Sequence, residues 1–228
     1  MASDYVPASQ PLPFTFVESL KRFVPAGKVT IKTILKNSEA FAAWAGKNNF
    51  QAIIIPLAVF ALSKNKKKLG HLKKCLSEDG IILEAGGREL SSLVPRRHFL
   101  FHRDYFRMDE GIRKKDSHFC ATNPAAISII GKEGEKLFRA ADEINVFHLW
   151  PQETAWCSCP SCRAFTRDEQ YRIGINAAAD VLAKVNPGAI IVFYENENPE
   201  NPEAGAKIPL RKNTYRIEKL PGETEFTN

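Results

Sequence analysis

The chain has 228 residues, 44% hydrophobic and 25% charged, with 32 basic against 26 acidic side chains and a net charge of +6. Such a composition suits a globular protein with a sizeable core, in one large domain or two small ones, and it lacks the run of about 18 apolar residues that a transmembrane helix needs. The polar, Pro-rich start has no basic segment followed by an apolar one, so it excludes a secretory signal and points to the cytoplasm. The densest basic run, residues 64–68, reads as a solvated helix face, and no aromatics interleave with it as nucleic-acid binding would want.

Residues 1–27 read as an arm, with a short helix over 14–23 on the spacing of Phe16, Val17, Leu20 and Phe23. A barrel-like domain follows over 28–220, then a polar tail over 221–228. Alternation of Val29, Ile31, Thr33 and Leu35 predicts a strand. Asn37 or Ser38 then caps a helix that Gly46 closes. The apolar run 50–58, with Ile53, Ile54 and Ile55 at its heart, suits a strand buried on both faces. A helix over 63–78 carries the stripe Leu69, Leu72, Cys75, Leu76, and 81–85 is the next buried strand, closed by Gly86 and Gly87.

Residues 88–123 are irregular but rich in Arg, His and aromatic side chains, too much chemistry for an idle loop. Asn123-Pro124 starts a helix to about residue 142, because proline at the first turn costs no hydrogen bond. Strands are predicted over 144–149 and 189–194, with a helix over 168–185 between them and a last strand over 213–219. Strands alternating with helices give an α/β fold with a parallel sheet. The reading is a partial or truncated (β/α) TIM-type barrel of about five to six parallel strands, with long loops at the strand C-terminal ends.

Three of the five cysteines sit at Cys157-x-Cys159-x-x-Cys162. Thiolates at that spacing can converge on one tetrahedral zinc, with Cys120 as the best fourth ligand and His118 or His148 as alternatives. Reduced thiols, or one disulfide with a spectator, are the competing readings. A redox pair is disfavoured, because Cys159 and Cys162 precede the next helix by several residues. No cofactor beyond a structural zinc is called for.

Glu84, Glu153 and Glu195 each fall at or just beyond a strand end, where parallel α/β folds build their sites. Glycoside hydrolysis needs two carboxyl groups about 5–10 Å apart. Glu153, flanked by Trp150 and Trp156, is the general-acid candidate, and Glu84 or Glu195 would assist. Otherwise Glu84 and Glu195 are solvated charges and the tryptophans are packing. Arg88, His102, His148 and Tyr194 complete the substrate-binding candidates, the loop's cations suiting hydroxyls or a carboxylate. The implied partner is carbohydrate. The strand edge after Tyr194 leaves room for a second copy or a completing chain.

The segments Phe101-His102-Arg103-Asp104-Tyr105-Phe106, Gly111-Ile112-Arg113 and Phe119-Cys120-Ala121-Thr122-Asn123-Pro124 resemble the first signature of the bacterial domain of unknown function family 4838. His148-Leu149-Trp150-Pro151 and Trp156-Cys157-x-Cys159-Pro160-x-Cys162-Arg163 resemble its second. That family is similar to the catalytic barrels of glycoside hydrolases near α-glucuronidases and β-hexosaminidases. The resemblance implies a sugar-type substrate. Where relatives show an Asp pair or Asp-Gly after Trp-Pro, this chain has Gln152-Glu153.

Overall fold

A computed structural model describes residues 20–25, 30–116, 118–152, 155–194 and 208–217. Six strands form one parallel sheet: β1 (Arg22–Phe23), β2 (Ala52–Ile55), β3 (Ile82–Gly87), β6 (Val146–Leu149), β7 (Ile190–Tyr194) and β8 (Thr214–Ile217). They lie side by side in chain order, β1-β2-β3-β6-β7-β8. Each neighbouring pair is parallel. Two short strands, β4 (Met108–Asp109) and β5 (Ile112–Arg113), form a separate hairpin. Glu110 and Gly111 turn it with φ of 48° and 80°, the left-handed pair that tight hairpins require.

The helices are α1 (Ile31–Lys36), α2 (Ser38–Lys47), α3 (Leu57–Phe60), α4 (Lys66–Glu78), α5 (Pro124–Ala140) and α6 (Arg167–Val185). A parallel strand must return by a crossover, and helices fill the first four crossovers. Strictly sequential parallel order is the winding of a (β/α) barrel, so the fold is α/β with six barrel-type strands among the described residues. No described helix is long and apolar enough to cross a membrane.

Side chains alternate across the sheet, and the two faces have different jobs. Phe23, Ile53, Ile55, Leu83, Ala85, Phe147, Leu149, Ile191 and Phe193 pack against the helices in the main core. Val146, Ile190, Val192 and Ile217 form a smaller cluster on the inner face, joined by Tyr194 and Tyr215. By the same alternation, Arg22, Glu84 and His148 stand on that inner face.

Two predicted elements are corrected. Residues 31–36 are helical, not a strand: the Thr30 side chain accepts from Thr33 N, and Ile34 and Leu35 turn inward together. Ile31, Ile34 and Leu35 fit a helical period as well as alternation fits a strand, and the cap decides. The predicted helix over 14–23 lies outside the described residues up to position 19. Its end is β1, where Arg22 pairs in register with Ala52. The predicted cap of α2 is not formed: Asn37, its N-cap, makes no side-chain cap bond, and Ser38 Oγ donates back to the Ile34 carbonyl. Side-chain caps start two later helices. Asn123 Oδ1 accepts from Ala125 N and Ala126 N. Thr166 and Glu169 form a reciprocal capping box that starts α6 just after the cysteine loop.

Candidate carbohydrate site and cysteine centre

β3 and β6 are adjacent and parallel, with Gly86 opposite His148 and Gly87 opposite Leu149. Gly86 has φ +119°, and a Cβ there would lie 1.9 Å from the His148 carbonyl oxygen. Only glycine lets the strands close. That approach brings Glu84 and His148 together. Glu84 is 1% exposed and His148 0% exposed. The Glu84 carboxylate accepts from Arg22 Nε at 2.7 Å and Nη2 at 3.2 Å, and contacts His148 Nε2 at 2.7 Å.

Burial opposes the Glu84 charge, yet His148 and Arg22 together hold its carboxyl below the usual range. Burial likewise depresses His148, against the pull of Glu84. One guanidinium already neutralises the one carboxylate, so His148 is neutral and Nε2 carries its proton. His148 Nδ1 then has a lone pair, is buried, and has no hydrogen-bond partner among the described residues. Trp150 lies just past the strand end, its ring 5.2 Å from the imidazole. Its Nε1 is also buried and has no partner among the described residues.

Further along the rim, Gln152 Nε2 donates to the Arg88 carbonyl at 2.8 Å, and Arg88 Nη1 donates to the Pro151 carbonyl at 3.4 Å. His118 Nε2 lies 3.2 Å from the Gln152 carbonyl oxygen. Burial pushes His118 down to about 4, so the neutral ring donates there. Trp156 stacks on His118 at 4.2 Å and packs against Phe119 and Tyr171. With His118 over its face, Trp156 is packed in the core, and its Nε1, like that of Trp150, is buried with no partner among the described residues. Tyr194 ends β7 half-buried on the inner face. His102 is exposed and stacks on Tyr105 at 4.6 Å, in the 88–123 excursion. Glu153 and Glu195 lie outside the described residues.

Sequence reasoning missed Arg22, whose partner is 62 positions away. It also missed Glu89, which accepts from Leu57 N at 2.7 Å and whose carboxyl burial pushes up. No local pattern signals either. A groove of about 560 Å³ lies along α5, lined by His98, Tyr105, Ile129, Lys132 and Arg139 among others. None of the strand-end residues lines it.

The second centre joins three segments. The sulfurs of Cys120, Cys157, Cys159 and Cys162 all lie within 4.8 Å of one another, and all four residues are buried. Cys120 Sγ is 3.7 Å from both Cys159 Sγ and Cys162 Sγ. A disulfide needs about 2.05 Å, so these are free thiols. Of the three predicted fourth ligands, Cys120 is the one brought in. The β4–β5 hairpin braces the cluster: Met108 N donates to Cys157 Sγ at 3.2 Å, and the Met108 carbonyl accepts from Ser158 N at 2.8 Å. Arg113 Nη1 approaches Cys157 Sγ at 3.8 Å. Hydrogen bonds from Cys157 and Cys162 hold Cys120 far below the ordinary thiol value, and the bond with Cys120 pushes Cys162 up. Such a set of acceptors can hold a metal ion.

The fold has known counterparts. The chain is similar to the tandem GH20 catalytic modules of the pneumococcal exo-β-D-N-acetylglucosaminidase StrH, with a TM-score of 0.57 at 10% identity over 89% of this chain and 60% of that one. It is similar to a Thermobaculum terrenum O-GlcNAc hydrolase (TM-score 0.53, 8% identity, 90% of this chain and 42% of that one). A β-N-acetylhexosaminidase matches at TM-score 0.51 and 14% identity, over 79% of this chain and 47% of the other. The chain thus spans three fifths or less of these structures' lengths. At such identities the likeness is one of fold. No family model matches the chain, and no curated protein matches it by sequence.

Proposed function

We propose that this chain is a carbohydrate-active (β/α)-barrel domain of the glycoside-hydrolase type, which receives a sugar at the C-terminal ends of β3, β6 and β7. One observation carries the reading: two buried polar atoms with no partner among the described residues, His148 Nδ1 and Trp150 Nε1, sit at the strand-end rim of a barrel fold whose solved counterparts include hexosaminidases. Orphaned buried polar groups cost about 1–3 kcal/mol each, and a ligand's hydrogen bonds offset that cost. Arg88 and Tyr194 flank the same rim, while His102 stacks on Tyr105 beside the α5 groove.

Glu153 is the general acid in this reading, and Glu195 the assisting carboxylate. Glu84 is a positioning residue, because both its oxygens are already bonded to Arg22 and His148. Resemblance to family 4838 supports the same substrate class. A screen of the purified chain against aryl-glycosides, with Glu153→Gln alongside, tests hydrolysis. Turnover lost in Glu153→Gln with sugar binding kept is the expected result. No turnover of any glycoside, with binding intact, would leave a carbohydrate-binding module.

The metal in the cysteine centre is zinc. Four soft sulfur donors suit it, and sulfurs at about 2.3 Å from a tetrahedral zinc stand about 3.8 Å apart. The spacing of 3.7 Å matches that edge. Four protein ligands leave no open position, so zinc there cross-links Cys120 to the loop beyond β6 and supplies stability. A second reading is assembly with another copy or a completing chain. It is favoured by the edge strands β1 and β8, each paired on one side only among the described residues. Light scattering across concentration decides it.

A further inference from the structure

We propose that His148 and Trp150 form the floor of the sugar site and grip one hydroxyl group of the ligand, which donates to His148 Nδ1 and accepts from Trp150 Nε1–H. The inference rests on the carbohydrate reading and names the chemistry of its deepest contact.

The argument starts with the tautomer. Arg22 binds the Glu84 carboxylate through two nitrogens, and His148 Nε2 lies 2.7 Å from the same group. A carboxylate accepts only, so Nε2 carries hydrogen, and in the neutral ring that Arg22 allows by balancing Glu84, Nδ1 is an acceptor. The indole nitrogen of Trp150 can only donate. An acceptor and a donor thus stand on rings whose centroids are 5.2 Å apart, both buried and both unpartnered among the described residues. A hydroxyl can satisfy both through one oxygen atom, donating to one ring and accepting from the other. A carboxylate or carbonyl would satisfy Trp150 alone, and an ammonium His148 alone.

Gly87 is buried, and its carbonyl accepts from Trp150 N at 2.7 Å, which ties the Trp150 backbone to the end of β3. A Cβ built on Gly87 would meet no atom of the described residues within 4 Å. The ion-paired chain from Arg22 through Glu84 fixes the imidazole below it, and a fixed ring binds at lower ordering cost. Specificity follows: a sugar lacking that hydroxyl strands both atoms again.

The test uses the whole chain labelled with ¹⁵N-histidine and long-range ¹H–¹⁵N spectra. N-acetylglucosamine, methyl β-glucoside and glucuronate are titrated in separately, with calorimetry on the wild type and on Trp150→Phe. Expected are an Nε2–H tautomer at His148 and a saturable shift of its Nδ1 signal with at least one sugar. Trp150→Phe, which keeps an aromatic ring and loses the donor, should weaken that sugar about 3- to 10-fold. The wild-type signal decides the matter even where the variant folds poorly. A sugar that binds without moving Nδ1, or equally well to Trp150→Phe, overturns the inference and leaves the carbohydrate reading standing. Binding of none of the three sugars overturns that reading and the inference with it.

Discussion

Replacing Arg22 by methionine should do more than destabilise the sheet: it should reverse the sign of a pH dependence. In the wild type, Glu84 is charged and His148 neutral, both inside the barrel. His148 has a folded pKa below its unfolded value of about 6.5, so the unfolded state binds more protons. Stability therefore falls as pH drops below about 6.5. The depressed carboxyl of Glu84 adds a second loss on further acidification, from about pH 4.3 downward. Without Arg22, Glu84 has only His148 left to balance its charge. The imidazole then takes up a proton, its folded pKa rises above about 6.5, and stability is lost as pH rises instead. One coupled proton gives a slope of at most about 1.4 kcal/mol per pH unit. Breaking a buried pair costs about 3–5 kcal/mol, and rescue by His148 places Arg22→Met near the lower figure at pH 6. For a chain of this size that is roughly a 6–12 °C fall in Tm. Urea titrations at intervals from pH 5.5 to about pH 8 measure the slope in both proteins. The same sign of slope in Arg22→Met and wild type would refute the charge assignment.

The other predictions concern the cysteine centre and three glycines. Protein purified without chelator should contain about one zinc per chain, and Cys120→Ser should lose most of it; metal analysis finding less than about a tenth of an equivalent refutes the centre. Gly86→Ala should cost more than about 3 kcal/mol, since its Cβ would strike the His148 backbone, while Gly87→Ala meets open space and should cost only the positive-φ penalty of about 1–2 kcal/mol. Equal losses in denaturant melts would contradict the strand contact. Gly174→Ala puts a Cβ 2.5 Å from the Phe119 ring, and should cost about 1–3 kcal/mol, relieved by adding Phe119→Leu.

The parallel sheet was legible because its central strands are continuous apolar runs, Ile53 to Ile55 and Ile190 to Phe193, bounded by glycine, proline or polar turns. β1 was not, because two residues carry no period and one of them is an arginine, held inside by a carboxylate far along the chain. Residues 31–36 satisfied two periods, and the deciding Thr30 cap was a single side chain. Cysteine chemistry was legible from residue type and spacing, and Cys120 proved the partner. Trp156 and Glu84 looked like site residues from their position alone. Contact with His118 and the ion pair with Arg22 depend on long-range packing that no local pattern encodes.

A crystal soaked with N-acetylglucosamine tests the central claim most directly. The account predicts density at the ends of β3 and β6, against Trp150, with a hydroxyl on His148 Nδ1. Sugar bound instead in the α5 groove beside His98 and Tyr105, or absent from the strand-end rim, would contradict it.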